Sequence, residues 1–403
     1  MSESLFKDIQ EAPPDAIFGA NRAFQLDPAE KKVNLTIGVY RDENGENHKF
    51  RCIKEAVKKY QEMNVDHEYL PMAGYQKFID HAIEFSYSKE STALKEKRIA
   101  AIQSISGTGA IRIGMKFLSD FYTLSKEIYV PNPTWGNHLA IAKGAGLIPK
   151  YYKYYSEEKK GVDFDNLKKE FENIPNHSII VFHACAHNPT GCDLSHDEWK
   201  EMLEIVRNKK LVTLFDMAYQ GFATGDPEYD AFAPRLFAES GLPMLLCQSF
   251  AKNLGLYGER VGCLSVVTAS EKEAIAVKSQ LANIGRREYS NPPKFGAYLA
   301  DIVMSDEQMT KDWKEELKSM ADRIKNMIMK LINKLKELGS TKDWDFIGKQ
   351  NGMFSYTGLT KEQVKELKEK FHVYLLDSGR ANVAGINESN IDYVAQAIYE
   401  VTK

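Results

Sequence analysis

SFAKNLGLYGER, residues 249–260, lies between two runs that read as β-strands, MLLCQS (244–249) and GCLSVVT (262–268). Lys252 therefore sits just past a strand end, in a glycine-containing turn, with Ser249 before it and Arg260 after it. A lysine amine condenses with aldehydes when a neighbouring cation or a desolvated setting lowers its pKa towards neutrality. A lysine in such a turn is usually a solvated surface residue, so the meaning of the segment rests on what surrounds it.

Outward from this segment, short β-rich runs alternate with longer amphipathic stretches. Strand candidates are EIYV (127–130), GLIPKYY (146–152), SIIVFHA (178–184) and LVTLFD (211–216), besides the two flanking runs. Helices are expected over GAIRIGMKFLSDFY (109–122) and over SHDEWKEMLEIVRNKK (195–210), which opens with a Ser195/Glu198 capping box. This alternation predicts an α/β fold with a mostly parallel central sheet flanked by helices. A long charged helical stretch (305–338) precedes a strand-rich tail, which places a domain boundary near 315. The segment up to about Tyr40 does not read as a βα unit, and is expected to pack on the C-terminal domain or reach a partner subunit.

With 403 residues, 43% hydrophobic and 27% charged, the chain has the composition of a soluble globular protein of two domains. A net charge of -3 without a basic stripe gives no footprint for nucleic acid or an anionic membrane surface. The best apolar run, SIIVFHACA, is about half the roughly 20 residues of a membrane span. Five scattered cysteines without a CxxC pair fit a reducing compartment and give no metal site. The N-terminal MSESLFKDIQEAPPD has no apolar signal region and carries three acidic residues before Pro13. Together these lead to an expected cytoplasmic location.

Four features fall in the order in which a phosphate-bearing aldehyde could be held at the C-terminal edge of a parallel sheet. SGTGAIR (106–112) leads small residues into a helix, exposing backbone N–H groups to a phosphate. HNPTG (187–191) follows a strand and is turn chemistry, which reads either as a simple loop or as a turn whose Asn188 donates to the phenolic oxygen of a cofactor ring. In FDMAYQGF (215–222), Asp216 closes a strand where a carboxylate would keep a pyridine nitrogen protonated, with Tyr219 three residues on. Ser249 and Arg260 complete the phosphate set. The cofactor that suits an aldehyde, a phosphate and a lysine is pyridoxal phosphate (PLP).

Carried by these motifs and by APPDAIFGANRAFQLDP (12–28), NLTIGVYRDENG (34–45), EYLPMAG (68–74), NPTWGNH (132–138), YSNPP (289–293), GMFSYTGL (352–359) and DSGRAN (377–382), the chain resembles the aspartate aminotransferase branch of the fold-type I PLP-dependent enzymes almost end to end. The resemblance implies a homodimer with shared active sites and a PLP-binding large domain of residues 41–315. It implies a smaller α+β domain of residues 13–40 and 316–403, with residues 1–12 as an arm on the partner subunit. It further implies that Lys252 forms the internal aldimine and moves the proton, and that Asp216 pairs with the ring nitrogen. By the same resemblance Asn188 and Tyr219 bind the ring oxygen and Trp135 stacks on the ring. Ser106, Gly107, Thr108, Ser249, Arg260 and a partner's Tyr69 would hold the phosphate. Arg380, with Gly38, Trp135 and Asn188, would take the substrate α-carboxylate, and a partner's Arg286 the distal one. Counting back from YSNPP favours Arg286 over the adjacent Arg287. Gly136 and Ala251 depart from the family pattern, where Pro and Ser are common.

The implied reaction is L-aspartate plus 2-oxoglutarate giving oxaloacetate plus L-glutamate, by ping-pong transfer through the pyridoxamine form. Two arginines hold a four- or five-carbon dicarboxylate at both ends. The alternatives are dual aspartate and aromatic specificity, a PLP lyase or decarboxylase sharing Lys252 and Asp216, and a catalytically silent scaffold.

Overall fold

A computed structural model describes residues 4–403, so residues 1–3 of the expected arm lie outside the described residues. Seven strands form the central sheet: β1 (Ile99–Ile105), β2 (Glu127–Asn132), β3 (Ile148–Lys153), β4 (Ile179–His183), β5 (Val212–Met217), β6 (Met244–Ser249) and β7 (Val261–Val267). They lie in the order β1-β7-β6-β5-β4-β2-β3. Six run the same way, and β7 alone runs antiparallel to both its neighbours. The sheet is mostly parallel, as the sequence pattern indicates, with β7 as its one antiparallel strand among the described residues.

Successive strand residues enter two different cores. Ile128, Val130, Ile179, Val181, Leu214, Leu245 and Leu264 pack into one, while Ile180, Phe182, Phe215, Leu246 and Cys263 pack into the other. Both faces are covered, which is why the strands read as continuous apolar runs instead of alternating with polar residues.

The helices that position the site are α1 (Ala16–Leu26), α2 (Ser106–Phe121), α3 (Asn137–Ala145), α4 (His196–Lys209), α5 (Glu271–Tyr289) and α6 (Glu307–Glu337). α2, α3 and α5 bury Ile111, Met115, Ala142 and Leu281 on the first face. α4 lies on the second, with Trp199 edge-on to Phe182 at 5.3 Å. The Ser195/Glu198 box caps it, Glu198 N donating to Ser195 Oγ at 3.2 Å and Ser195 N to Glu198 Oε2 at 2.7 Å.

α6 buries Trp313, Leu317, Met320, Ile324, Ile328, Leu331 and Leu335, a three-four spacing that gives one apolar stripe along an unbroken helix. The N-terminal segment joins the C-terminal part of the chain: Val33 and Asn34 pair in parallel with Val373 and Tyr374. Asp15 caps α1 by accepting from Ile17 N and Phe18 N, both at 2.9 Å. A separate two-stranded ribbon, Phe354–Tyr356 against Arg380–Asn382, carries Arg380. Among the described residues no helix is long and apolar enough to cross a membrane.

Candidate active site

Strand order explains how distant parts of the chain meet. β1, β7 and β6 are neighbours, so Ser106 after β1, Arg260 before β7 and Ser249 at the end of β6 reach the same edge of the sheet. Ser106 and Ser249 hydroxyls lie 2.9 Å apart, and Ser106 N donates to Arg260 O at 3.1 Å. Such an approach needs glycine between them: a Cβ on Gly262 would fall 2.5 Å from the Ser106 carbonyl carbon. Ser106 and Arg260 both hold left-handed backbone, φ 56° and 55°, a strain of order 1 kcal/mol per non-glycine residue that concentrates at working sites. Gly107 and Thr108 then open the 16-residue α2, whose first N–H groups have no intrahelical acceptor. Two hydroxyls, a guanidinium and a helix N-terminus are a donor set for a phosphate.

Lys252 lies on the turn after β6, its Nζ 5.0 Å from the centre of the Tyr219 ring. Burial lowers its pKa to about 8, the Asp216 charge opposing and the Arg260 and Arg380 charges assisting. A lysine so placed keeps a substantial neutral fraction near pH 7.5 and is nucleophilic there. Burial raises the pKa of Tyr219, the Arg380 charge pulling the other way, so its hydroxyl stays protonated and can donate.

Asp216, near the end of β5, receives His138 Nε2 at 3.1 Å. Burial acts to raise its pKa, but that hydrogen bond from His138, with the Lys252 charge assisting, holds it below the ordinary aspartate value. The bond to His138 belongs to a longer chain. Asn188 N donates to His183 Nδ1 at 3.2 Å, Thr134 Oγ1 lies 3.1 Å from His183 Nε2, and it lies 2.8 Å from His138 Nδ1. Burial drives the His183 pKa well down, so the ring is neutral. The arrangement that satisfies every member has His183 donating to Thr134, Thr134 to His138, and His138 to Asp216. An anionic carboxylate at a sheet edge, oriented by such a chain, suits a protonated ring nitrogen. Trp135 supplies a flat side chain, 5.3 Å from His138 between ring centres.

Arg380 is buried, and burial pulls its pKa down to about 10, leaving it charged at neutral pH. Nη2 donates to Thr36 O at 2.7 Å and Nη1 to Asn188 Oδ1 at 3.3 Å, while Nε has no partner. The guanidinium rests on the Phe354 ring, and Gly38 packs against that ring so closely that a Cβ there would lie 2.7 Å from Phe354 Cζ. An unpartnered buried N–H on a cation calls for an anionic ligand. Because Asn188 Oδ1 faces Arg380, its Nδ2 is left as the free donor.

The chain thus brings together Ser106, Ser249, Arg260, Lys252, Asp216, Tyr219, Asn188, Arg380 and Gly38. Two expected site residues stand apart: Tyr69 is 86% exposed, and Arg286 is an exposed residue that hydrogen-bonds Ser290. Arg287 is ion-paired with Asp120 at 3.6 Å. Sequence reasoning attached no role to Thr134, His138, His183 or Phe354. The signal for His138 was its place three residues after Trp135, and for His183 its place five residues before Asn188.

The donor set fits PLP, with a phosphate cradle at Ser106 and Ser249, a nucleophilic amine at Lys252 and an anionic partner at Asp216. Comparison with known proteins agrees. Residues 30–398 match the family described as aminotransferase class I and II. The mitochondrial aspartate aminotransferase of Dictyostelium discoideum is 48% identical, over 98% of this chain and 93% of its own. The structure of aspartate aminotransferase from Saccharomyces cerevisiae cytoplasm superposes with a TM-score of 0.97 at 42% identity, covering 100% of this chain and 99% of that one. An aromatic-amino-acid aminotransferase from Burkholderia pseudomallei, covalently bound to pyridoxal phosphate, has a TM-score of 0.96 at 39% identity, covering 99% and 100%.

The expected cytoplasmic location is corrected by these relatives. The Dictyostelium protein is named mitochondrial, as are three further curated relatives at 42–46% identity. Thiol usage reports a reducing environment, which more than one compartment provides, and charge balance does not distinguish them.

Proposed function

The chain belongs to the class I and II aminotransferases, and from that premise we propose that it is a PLP-dependent aspartate aminotransferase converting L-aspartate and 2-oxoglutarate to oxaloacetate and L-glutamate in two half-reactions. The observation that carries the reading is the pairing in one pocket of a Lys252 amine lowered to about 8 and a buried Arg380 with an unpartnered N–H. The names of the curated relatives point to a mitochondrial setting.

Bound PLP supplies an aldehyde that condenses with an amine and a ring that takes up the electron pair left on the substrate α-carbon. Lys252 Nζ would anchor the aldehyde carbon and, when free, would carry the proton taken from the α-carbon. Asp216 keeps a proton on the ring nitrogen, oriented by His138. Tyr219 OH and Asn188 Nδ2 would donate to the ring oxygen, and Trp135 would supply a flat surface for the ring. Ser106, Ser249, Arg260 and the α2 N–H groups of Gly107 and Thr108 neutralise the phosphate. Arg380, seated on Phe354 and flanked by Gly38, clamps the α-carboxylate and so sets which α-bond faces Lys252.

The exposure of Tyr69 and Arg286 supports a homodimer in which the partner's copies of these residues complete each site, on phosphate and distal carboxylate respectively. On the same reading, residues 41–315 form the cofactor domain, and residues 13–40 with 316–403 the smaller one.

The test is steady-state kcat/KM for aspartate against phenylalanine with 2-oxoglutarate, with oxaloacetate and glutamate formed in equal amounts. Release of CO2 or ammonia in place of glutamate would overturn the reading. A second reading, dual aspartate and aromatic specificity, is favoured by the likeness to the Burkholderia enzyme and predicts near-equal kcat/KM for the two substrates.

A further inference from the structure

Lys252 and Tyr219 face each other inside the pocket, and the residues that follow each of them are tied together behind it. Asn253 Nδ2 donates to the Gln220 carbonyl at 3.2 Å. The Asn253 carbonyl in turn accepts from the Trp313 indole N–H of α6 at 2.5 Å. Gln220 is itself anchored, its Nε2 donating to Phe85 O at 2.8 Å and Pro227 O at 3.3 Å. Asn253 and Gln220 are both buried, so water does not replace these bonds. Asn253 Oδ1 has no partner, and turning the amide over would set that oxygen against the Gln220 carbonyl, so the donor assignment is the only favourable one.

We propose that Asn253 is a positioning residue for the transamination chemistry: the Asn253–Gln220 strut, braced by Trp313, fixes the separation of the Lys252 amine and the Tyr219 hydroxyl. The proposal rests on the aminotransferase reading given above. The two turns leave adjacent parallel strands, β5 and β6, whose ladder ends at Met217 paired with Gln248. Beyond that pair no ladder hydrogen bond holds the turns in register. The side chain of Asn253 supplies the missing cross-link one residue past the reacting amine. A residue whose only task was stability would lower apparent kcat through the amount of folded enzyme, with KM and the titration of the lysine in the folded fraction unchanged. A strut acting on Lys252 instead affects the proton-transfer step and the lysine's own titration, and leaves the carboxylate clamp at Arg380 unchanged.

The test compares the wild-type holoenzyme with Asn253→Asp, which keeps shape but loses the N–H donor and sets an acceptor against the Gln220 carbonyl. The expected result is a fall in kcat of about ten-fold or more with KM for aspartate within about two-fold, since misplacement of a reacting group acts on the chemical step. The pH midpoint of the visible absorbance of cofactor bound at Lys252 should shift as well. Unchanged kcat and an unchanged midpoint in a folded variant would overturn the proposal. If Asn253→Asp does not fold, Trp313→Phe, which keeps an aromatic ring but loses the N–H together with part of the indole's buried volume, must show the same changes more weakly. A Trp313→Phe enzyme with the wild-type midpoint and kcat would overturn it equally. Absence of transamination or of a visible band in the wild-type protein would instead defeat the underlying reading.

Discussion

The guanidinium carbon of Arg380 stands 4.1 Å from the centre of the Phe354 ring, and Gly38 packs against the tip of that ring. The aromatic face is a shelf for a cation that burial has stripped of water. Gly38→Ala would place a methyl at 2.7 Å from Phe354 Cζ and force the ring, and with it Arg380, to move. KM for both aspartate and 2-oxoglutarate should rise about ten-fold, because a displaced clamp weakens binding of any α-carboxylate. Steady-state kinetics on both substrates checks this; a rise for one substrate alone would point away from the shared clamp.

Lys252 governs a pH-dependent prediction. Its pKa in the folded protein is lowered to about 8, so the amine is protonated below that pH and neutral above it. In the cofactor-free protein the rate of condensation with added PLP should climb about ten-fold per pH unit up to about pH 8 and then level. An ordinary lysine would go on climbing to beyond pH 10. Stopped-flow absorbance at a series of pH values distinguishes the two, and Lys252→Ala should show neither the band nor transamination.

Asp216 and His138 should differ sharply in cost. Asp216→Ala removes the carboxylate expected to pair with the ring nitrogen and should lower kcat by roughly 10³-fold or more. His138→Asn removes one hydrogen bond to a carboxylate that the Lys252 charge also favours in its ionised form, and should cost about ten-fold or less. Equal losses in the two variants would place the proton balance of the site on the histidine.

Subunit mixing tests the shared site. Lys252→Ala and Arg286→Asp subunits, each inactive towards dicarboxylates alone, should regain activity when mixed, since one site of each mixed dimer then has both residues. Activity no higher than either parent would count against a partner-supplied Arg286, and repeating the experiment with Arg287→Asp decides between the neighbours.

Much of the fold could be read before any coordinates, and the gaps have physical causes. Strand candidates at 127–130, 178–184, 211–216 and 244–249 each lie within two residues of an observed strand at both ends. β1 (Ile99–Ile105) went unread because Gln103 and Ser104 interrupt its apolar pattern. Both are fully buried, and their side chains are satisfied by Tyr75 N and Pro293 O for Gln103, and by Ser106 O for Ser104. The direction of β7 was legible in principle: residues 250–260 are fewer than the dozen or so that a parallel crossover needs, and contain no helix. At the site, turn motifs revealed the residues that would face a cofactor. Those that hold them from behind, Thr134, His138, His183 and Asn253, are ordinary polar residues in sequence and acquire meaning only through three-dimensional neighbours.

The antiparallel turn of β7 has a mechanical consequence. Ser249 and Gly262 are cross-strand partners, and Phe250 N donates to Val261 O at 3.0 Å, so the lysine-bearing segment leaves and re-enters the sheet at one point. It is a clasp fastened at its base. Its length is therefore as constrained as its sequence: a residue inserted on either side of Lys252 could not be absorbed by sliding a strand without breaking the β1 and β6 ladders together. The fold tolerates changes of content within the clasp far better than changes of its circumference.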